Sequence, residues 1–268
     1  MTPTTPTSSA SSPGPAWTEQ DLTDNPHERS DKADRVRSMF AAIAGSYDLN
    51  NRLHSFGRDQ AWRRRAVKLA QVQPADHVLD VACGTGDLTE VFARAGAERV
   101  IGLDFTEPML EIARHKATRS RSSAPLKAIE YRQGDAMDLP FDDASFDIVS
   151  IAFGIRNVSE PPRALAEFLR VLRPGGRLIV LEFSEPKNRL IRACNRFYCH
   201  QLMPRTASWI ARDRSGAYRY LPRSVETFLT REAMVDGMER AGFREIAQKP
   251  MTFGVCVCYR GVVPPRES

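Results

Sequence analysis

The sequence predicts an α/β protein in which a mostly parallel sheet is wound on both faces by helices. Two observations predict it. Apolar runs of strand length recur at residues 77–82, 99–104, 126–133, 146–153 and 177–183, each bounded by turn-forming residues. Between these runs the apolar spacing changes to three and four residues, the period of a helix with one buried face. Strand, helix and strand in repetition imply parallel pairing through right-handed crossovers.

Taken in order, residues 1–30 are rich in Thr, Ser and Pro with almost nothing apolar to bury. Such a segment cannot offset its ordering entropy, and a disordered tail is expected. From Asp31 the pattern turns helical through Val36, Met39, Phe40, Ile43, Tyr47, Leu53, Trp62 and Val67, with Gly45 and Gly57 as breaks. The helices of residues 31–72 either pack on the sheet or form a lid over a ligand. The first strand then leads through a glycine corner into a helix over 87–95. Thr106-Glu107-Pro108 opens the next helix with a capping residue and a proline in the first turn. The third strand ends in Gly134-Asp135-Ala136, and Asp142-Asp143 reads as a solvated turn. A helix over 160–172 closes on Arg173-Pro174-Gly175-Gly176, which is expected to stop it and reverse the chain. Residues 187–223 leave the pattern: Lys187 and eight arginines face one acid, Asp213, with Phe197, Tyr198, Trp209, Tyr218 and Tyr220 interleaved. A helix over 230–241 and a strand pair, 243–248 and 251–259, complete a seven-stranded sheet. No internal repeat is present.

Composition sets the bounds. A chain of 268 residues, 42% of them apolar, can bury one good core, and two full domains would be cramped. The net charge of +5 is mild. Five cysteines with no C-x-x-C pair fit reduced thiols in the cytoplasm and give no metal-ligand spacing. No run approaches the ~18 apolar residues of a membrane-spanning helix.

The chemistry centres on Val78-Leu79-Asp80-Val81-Ala82-Cys83-Gly84-Thr85-Gly86-Asp87-Leu88. Gly84 and Gly86 let the backbone turn sharply and admit a ligand to its N–H groups. Asp104 closes the second strand eighteen residues after Gly86, where an acid can accept both hydroxyls of a ribose. Asp80 lies four residues before Gly84. A carboxylate there opposes a pyrophosphate and suits a ligand carrying an ammonium and a sulfonium, such as S-adenosylmethionine (SAM). Thr89 occupies the third position of a G-x-G-x-x-G, where a branched side chain is expected to hinder the helix packing of a nicotinamide site. Asp135 is placed to meet the adenine. Arg156 follows the fourth strand, whose carboxyl end faces the cleft, and a guanidinium there could stabilise a phenolate. Two rivals stand beside a SAM enzyme of small molecules. One is a nicotinamide oxidoreductase. The other is an RNA methyltransferase or nucleic-acid binder using the basic insertion, although no RNA-binding module is recognisable.

Several stretches together resemble the family of SAM-dependent C-methyltransferases of menaquinone and ubiquinone biosynthesis, over residues 34–261. They are Tyr47-Asp48 with Asn51, Ser55 and Trp62; the glycine corner; Phe153-Gly-Ile-Arg-Asn-Val158; Arg170-Val-Leu-Arg-Pro-Gly-Gly-Arg-Leu178 into Leu181-Glu-Phe-Ser184; and Tyr218-Arg-Tyr-Leu-Pro-Arg-Ser224. The resemblance implies a Rossmann-like class I methyltransferase domain over 31–268, with N-terminal helices and a helical cap insertion at 187–223. It implies a polyprenylated quinol substrate, either demethylmenaquinol or 2-polyprenyl-6-methoxy-1,4-benzoquinol, with SAM as methyl donor, no metal and no nucleic-acid partner. Residues expected at the cofactor are Asp80, Gly84, Thr85, Gly86, Asp104, Asp135 and Ala136. Arg156 is expected at the ring, with Tyr47 and Tyr218 behind it. Three positions depart from the family pattern: Asp59 and Tyr259 replace histidines, and Ala152 replaces a serine beside the cofactor. A substrate with an apolar tail further implies contact with an anionic membrane surface through Lys187–Arg223, or with a quinone-biosynthesis complex.

Overall fold

The computed structural model describes residues 15–121, 129–211 and 215–265. Its seven strands form one sheet in the order β3-β2-β1-β4-β5-β7-β6. They are β1 (His77–Val81), β2 (Arg99–Asp104), β3 (Ile129–Gln133), β4 (Phe146–Ala152), β5 (Leu172–Phe183), β6 (Arg244–Met251) and β7 (Cys256–Val262). β1 pairs in parallel with β2 on one side and β4 on the other, so the winding direction reverses at β1/β4. A crevice opens beyond the carboxyl ends of strands at such a point. β7 runs antiparallel between β5 and β6.

The central strands are apolar throughout because both faces are covered. On one face Leu79, Val81, Ile101, Leu103, Val149 and Ile151 pack under α6 (Pro161–Val171) and α10 (Arg231–Ala241). On the other, Val78, Val100, Ile148 and Ile179 meet Trp62, Ala66 and Ala70 of α3 (Arg58–Ala70) and Phe92 of α4 (Asp87–Arg94). The two readings of the N-terminal helices divide between them. α3 packs on the sheet, whereas α1 (Lys32–Ile43) and α2 (Tyr47–His54) stand over the crevice with α5 (Glu107–Arg121) beside them.

Three expectations change. The helix does stop, at Val171, but Arg173–Gly176 does not separate it from the strand: Leu172 already pairs with Phe146, and the register jumps to Ile148–Arg177. With Gly175 at φ +78°, the chain loops out as a bulge and returns to the same ladder. The last strand starts later than expected, at Cys256, because Thr252–Gly254 makes a tight turn with Phe253 at φ +57°. Residues 15–30, expected to belong to a disordered tail, pack against the rest of the chain. Trp17 is buried and stacked on Tyr220 at 4.6 Å between centroids, and its backbone N–H donates to the Ser215 carbonyl at 3.0 Å. Asp21 behind it pairs with Arg29 and Arg35. One tryptophan supplies the apolar area that local composition lacks, and its partners lie two hundred residues away. Residues 1–14 lie outside the described residues.

The insertion folds as α7 (Arg189–Phe197), a π-helical turn (Tyr198–Leu202), α8 (Met203–Ala211) and α9 (Ala217–Glu226). The side chains of Trp209, Arg212, Asp213 and Arg214 lie outside the described residues.

Candidate active site

The glycine corner is held from three sides. Gly86 opens α4 at φ +81°, and a Cβ there would stand 2.3 Å from the Tyr131 hydroxyl. Both facts require glycine. The Asp104 carboxylate accepts the Gly84 N–H at 2.7 Å through one oxygen and the Thr106 N–H at 2.8 Å through the other. It therefore ties the corner to the end of β2, while desolvation pushes its carboxyl above the usual range.

Asp80 stands elsewhere than expected. Its carboxylate is buried beneath the corner, accepting the Thr89 hydroxyl at 2.7 Å and the Ser150 hydroxyl at 2.7 Å. Burial pushes it up to about 6 against those two hydrogen bonds. It does not line the cleft. Thr89 likewise does not hinder packing: it is fully buried, and its hydroxyl is the reason a threonine fits there. Thr85 also turns away. Its hydroxyl donates to Asp48 of α2 at 2.5 Å, and Lys116 of α5 donates to the other Asp48 oxygen at 2.7 Å and to Asp87. These four side chains latch α2 onto the glycine corner.

The cleft itself has a volume of about 800 Å³. Gly84, Asp104, Asp135 and Ala136 line it, whereas Asp80, Thr85 and Gly86 do not. Its walls are apolar, from Val36 and Phe40 of the lid to Leu103 and Met109. The Asp135 carboxylate is oriented by the Met137 N–H at 2.9 Å. At Gly84 an added Cβ would meet nothing nearer than the Tyr47 ring at 4.0 Å, so the corner is open to an occupant. Two oriented carboxylates in a long apolar cleft fit an adenosine-bearing cation. Among the described residues, no group of three His, Cys, Asp or Glu side chains could hold a metal ion.

A second cavity of about 1290 Å³ adjoins the first and shares Phe40, Tyr47 and Phe153 with it. Helices α7 to α9 roof it, contributing Tyr198, Tyr218, Tyr220 and Leu221. Arg156 lines this cavity and is itself nearly fully buried. Its Nη1 donates to Glu182 at 2.7 Å and to the Phe153 carbonyl at 2.7 Å, and its Nε reaches the Ser224 hydroxyl at 3.4 Å. Burial raises the Glu182 carboxyl, opposed by the Arg156 charge and the Phe183 N–H. Tyr47 and Tyr218 both line the same cavity.

Sequence reasoning gave no role to Glu182, Ser150 or Lys116. Glu182 left a signal, an acid inside the apolar run Leu178–Phe183; Ser150 and Lys116 left none, since each acts through a neighbour distant in the chain.

The sequence profile of the ubiE/COQ5 methyltransferase family matches residues 28–263. A protein of Thermus thermophilus named demethylmenaquinone methyltransferase is 45% identical over 84% of this chain and all of its own length. One of the same name from Deinococcus radiodurans is 42% identical over 87% of this chain and 95% of its own. A Geobacter sulfurreducens protein named ubiquinone/menaquinone biosynthesis C-methyltransferase UbiE is 42% identical over 86% and 89%. Among solved structures, a chain of the Haloferax volcanii complex between the Trm112 methyltransferase activator and a methyltransferase superposes with a TM-score of 0.59 at 20% identity, covering 84% of this chain and 97% of that one. A Thermotoga maritima SAM-dependent methyltransferase does so at 0.56 and 21%, covering 84% and 98%. At these identities the structures speak for the fold alone, a class I SAM-dependent methyltransferase fold. The sequence matches go further, and the chain belongs to the ubiE/COQ5 methyltransferase family.

Proposed function

We propose that the chain transfers the SAM methyl group to the ring carbon of demethylmenaquinol, giving menaquinol. The observation that carries this reading is the pair of joined cavities. A cleft with two oriented carboxylates opens, past Tyr47 and Phe153, into a larger and mostly apolar chamber. That division suits a polar donor and a prenylated ring. The names of the Thermus and Deinococcus relatives support the naphthoquinol, and that of the Geobacter relative covers both quinones.

Gly84, Asp104, Asp135 and Ala136 hold the donor in this reading. When bound, SAM supplies a methyl group already activated by its sulfonium. A quinone is electron-poor and does not attack an electrophile, so the reduced quinol is the nucleophile. Deprotonating the hydroxyl next to the reacting carbon pushes electron density onto that carbon, and the ring C–H proton leaves afterwards. The protein's share is orientation and charge. Arg156 faces the ring chamber, and its Nη2 has no partner among the described residues, leaving a donor for the phenolate oxygen. Glu182 keeps that guanidinium in place.

The substrate tail stays in a bilayer, and among the described residues no helix is long and apolar enough to cross one. On this reading the enzyme collects the ring at a membrane surface or receives it from a partner. The charge of 187–223 contributes less than its count suggests. Lys187 pairs with Glu232, Arg196 with Glu185 and Glu226, and Arg219 with Glu19, while Arg223 donates to the Thr23 carbonyl.

The test is the quinone profile of a deletion strain. Accumulated demethylmenaquinone supports the reading, and accumulated 2-polyprenyl-6-methoxy-benzoquinol moves it to the other ring. An unchanged profile overturns it.

A further inference from the structure

Both lips of the ring chamber carry apolar stripes that face solvent. On α7, Leu190 is 74% exposed and Phe197 61% exposed, with exposed Ala193 and Cys194 between them. Their spacing of i, i+3, i+4 and i+7 is that of the buried face of an amphipathic helix. Here no residue of α7 is buried, and its opposite side, with Asn195 and Arg196, lines the chamber. The second stripe begins on α2: Leu49, Leu53 and Phe56, at i, i+4 and i+7, are 55%, 48% and 79% exposed. Asn51, His54 and Ser55 beside them line the same chamber. The stripes join where the Phe56 ring lies 5.8 Å from that of Tyr198, whose hydroxyl donates to the His54 carbonyl at 3.1 Å.

The geometry points to these two stripes as the surface that docks the enzyme on a lipid bilayer, chiefly by apolar insertion. Soluble monomers rarely leave such stripes open unless something covers them. The charges flanking them select the bilayer as that cover. Arg189 and Arg192 on α7 and Arg58 after Phe56 are in no ion pair among the described residues, which suits cations at headgroup depth around a shallow apolar face. The chamber behind both stripes would open directly toward the acyl chains. This deepens the proposed reaction, resting on it only for what enters the chamber.

Sedimentation with phosphatidylcholine vesicles, with and without phosphatidylglycerol, at low and high salt tests the proposal. The full chain is expected to bind both compositions and to keep most of that binding in high salt. Leu190→Gln with Phe197→Gln, or Leu53→Gln with Phe56→Gln, is expected to lower partitioning by about tenfold on either composition. Arg189→Gln with Arg192→Gln should lower only the salt-sensitive part. The stripe variants should still methylate a short-tailed, water-soluble quinol at the wild-type rate and lose turnover on a long-tailed quinol held in vesicles. Stripe variants that sediment like the wild type overturn the proposal. So does a dimer in ultracentrifugation that the same variants dissociate, since a second copy would then be the cover. Failure of the wild type on the short-tailed quinol counts against the proposed reaction and leaves the partitioning result standing.

Discussion

At the scale of single residues, the buried acids divide into those that serve a ligand and those that hold the scaffold. In the proposed reaction Asp104 does both, because it lines the cleft while its carboxylate accepts the Gly84 and Thr106 N–H groups. Asp104→Ala is expected to weaken SAM binding by about 1–3 kcal/mol, through loss of charged acceptors at the ribose and slackening of the corner. Unchanged affinity in calorimetry of the folded variant would remove Asp104 from the site. Arg156 is more deeply engaged than its sequence position suggests. Replacing it by alanine leaves Glu182 buried without its partner, and stability should fall by about 3–5 kcal/mol. The double variant Arg156→Ala/Glu182→Leu should regain most of that loss. Turnover there remains down by about 10² if the guanidinium acts on the ring, the scale of one lost charge-stabilising donor. Turnover that returns with stability would make Arg156 a positioning residue.

At the scale of elements, two devices fix the lid. The first is the latch of Asp48, Thr85, Asp87 and Lys116, which joins α2 and α5 to the glycine corner. Asp48→Ala frees Thr85 and leaves Lys116 one carboxylate instead of two. SAM affinity should fall by about tenfold, or 1.4 kcal/mol, mainly through faster dissociation in stopped flow. An unchanged dissociation rate would deny the latch any part in closure. The second device is the strap of residues 16–31, which spans α1 and α9. His27 there bonds the Ser224 carbonyl at 2.8 Å through Nε2, while its Nδ1 is buried without a partner. Desolvation, with Lys32 and Arg156 nearby, lowers it to about 4 although the Ser224 bond opposes the shift. The folded protein keeps this ring neutral, whereas the unfolded chain takes up a proton below about 6.5. Its stability contribution is therefore present above that pH and lost progressively as pH falls toward 4. The melting temperature of the wild type should fall relative to His27→Gln across that window, and parallel curves would contradict it.

At the scale of the whole molecule, the order β3-β2-β1-β4-β5-β7-β6 places the corner, Asp104 and Asp135 at one end of adjoining parallel strands. Three segments distant in sequence thereby meet at one cleft. SAM at a hundredfold excess over its Kd should stabilise the fold by about 2.7 kcal/mol, raising the melting temperature by roughly 5–10 °C. NAD at the same concentration should leave it unmoved. The reverse result would restore the nicotinamide reading that Thr89 was expected to exclude and, being well packed, does not exclude.

The strands, the glycine corner and Asp104 were legible in the chain because each rests on local chemistry: apolar runs, tight turns, an acid at a strand end. The family was legible for the same reason, in short stretches such as Phe153–Val158. Other roles depended on partners that no local pattern announces. Asp80 is turned inward by hydroxyls nine and seventy residues away, and Thr85 in the loop is taken by Asp48 from α2. The charge of the insertion is met by Glu19, Glu185, Glu226 and Glu232, outside it or across the cap. The same packing leaves apolar stripes in the open. Local sequence determined which backbone could form and which groups were available. Tertiary structure decided where each charge and hydroxyl points, because a hydrogen bond is settled by distances of a few ångströms between segments that only folding brings together.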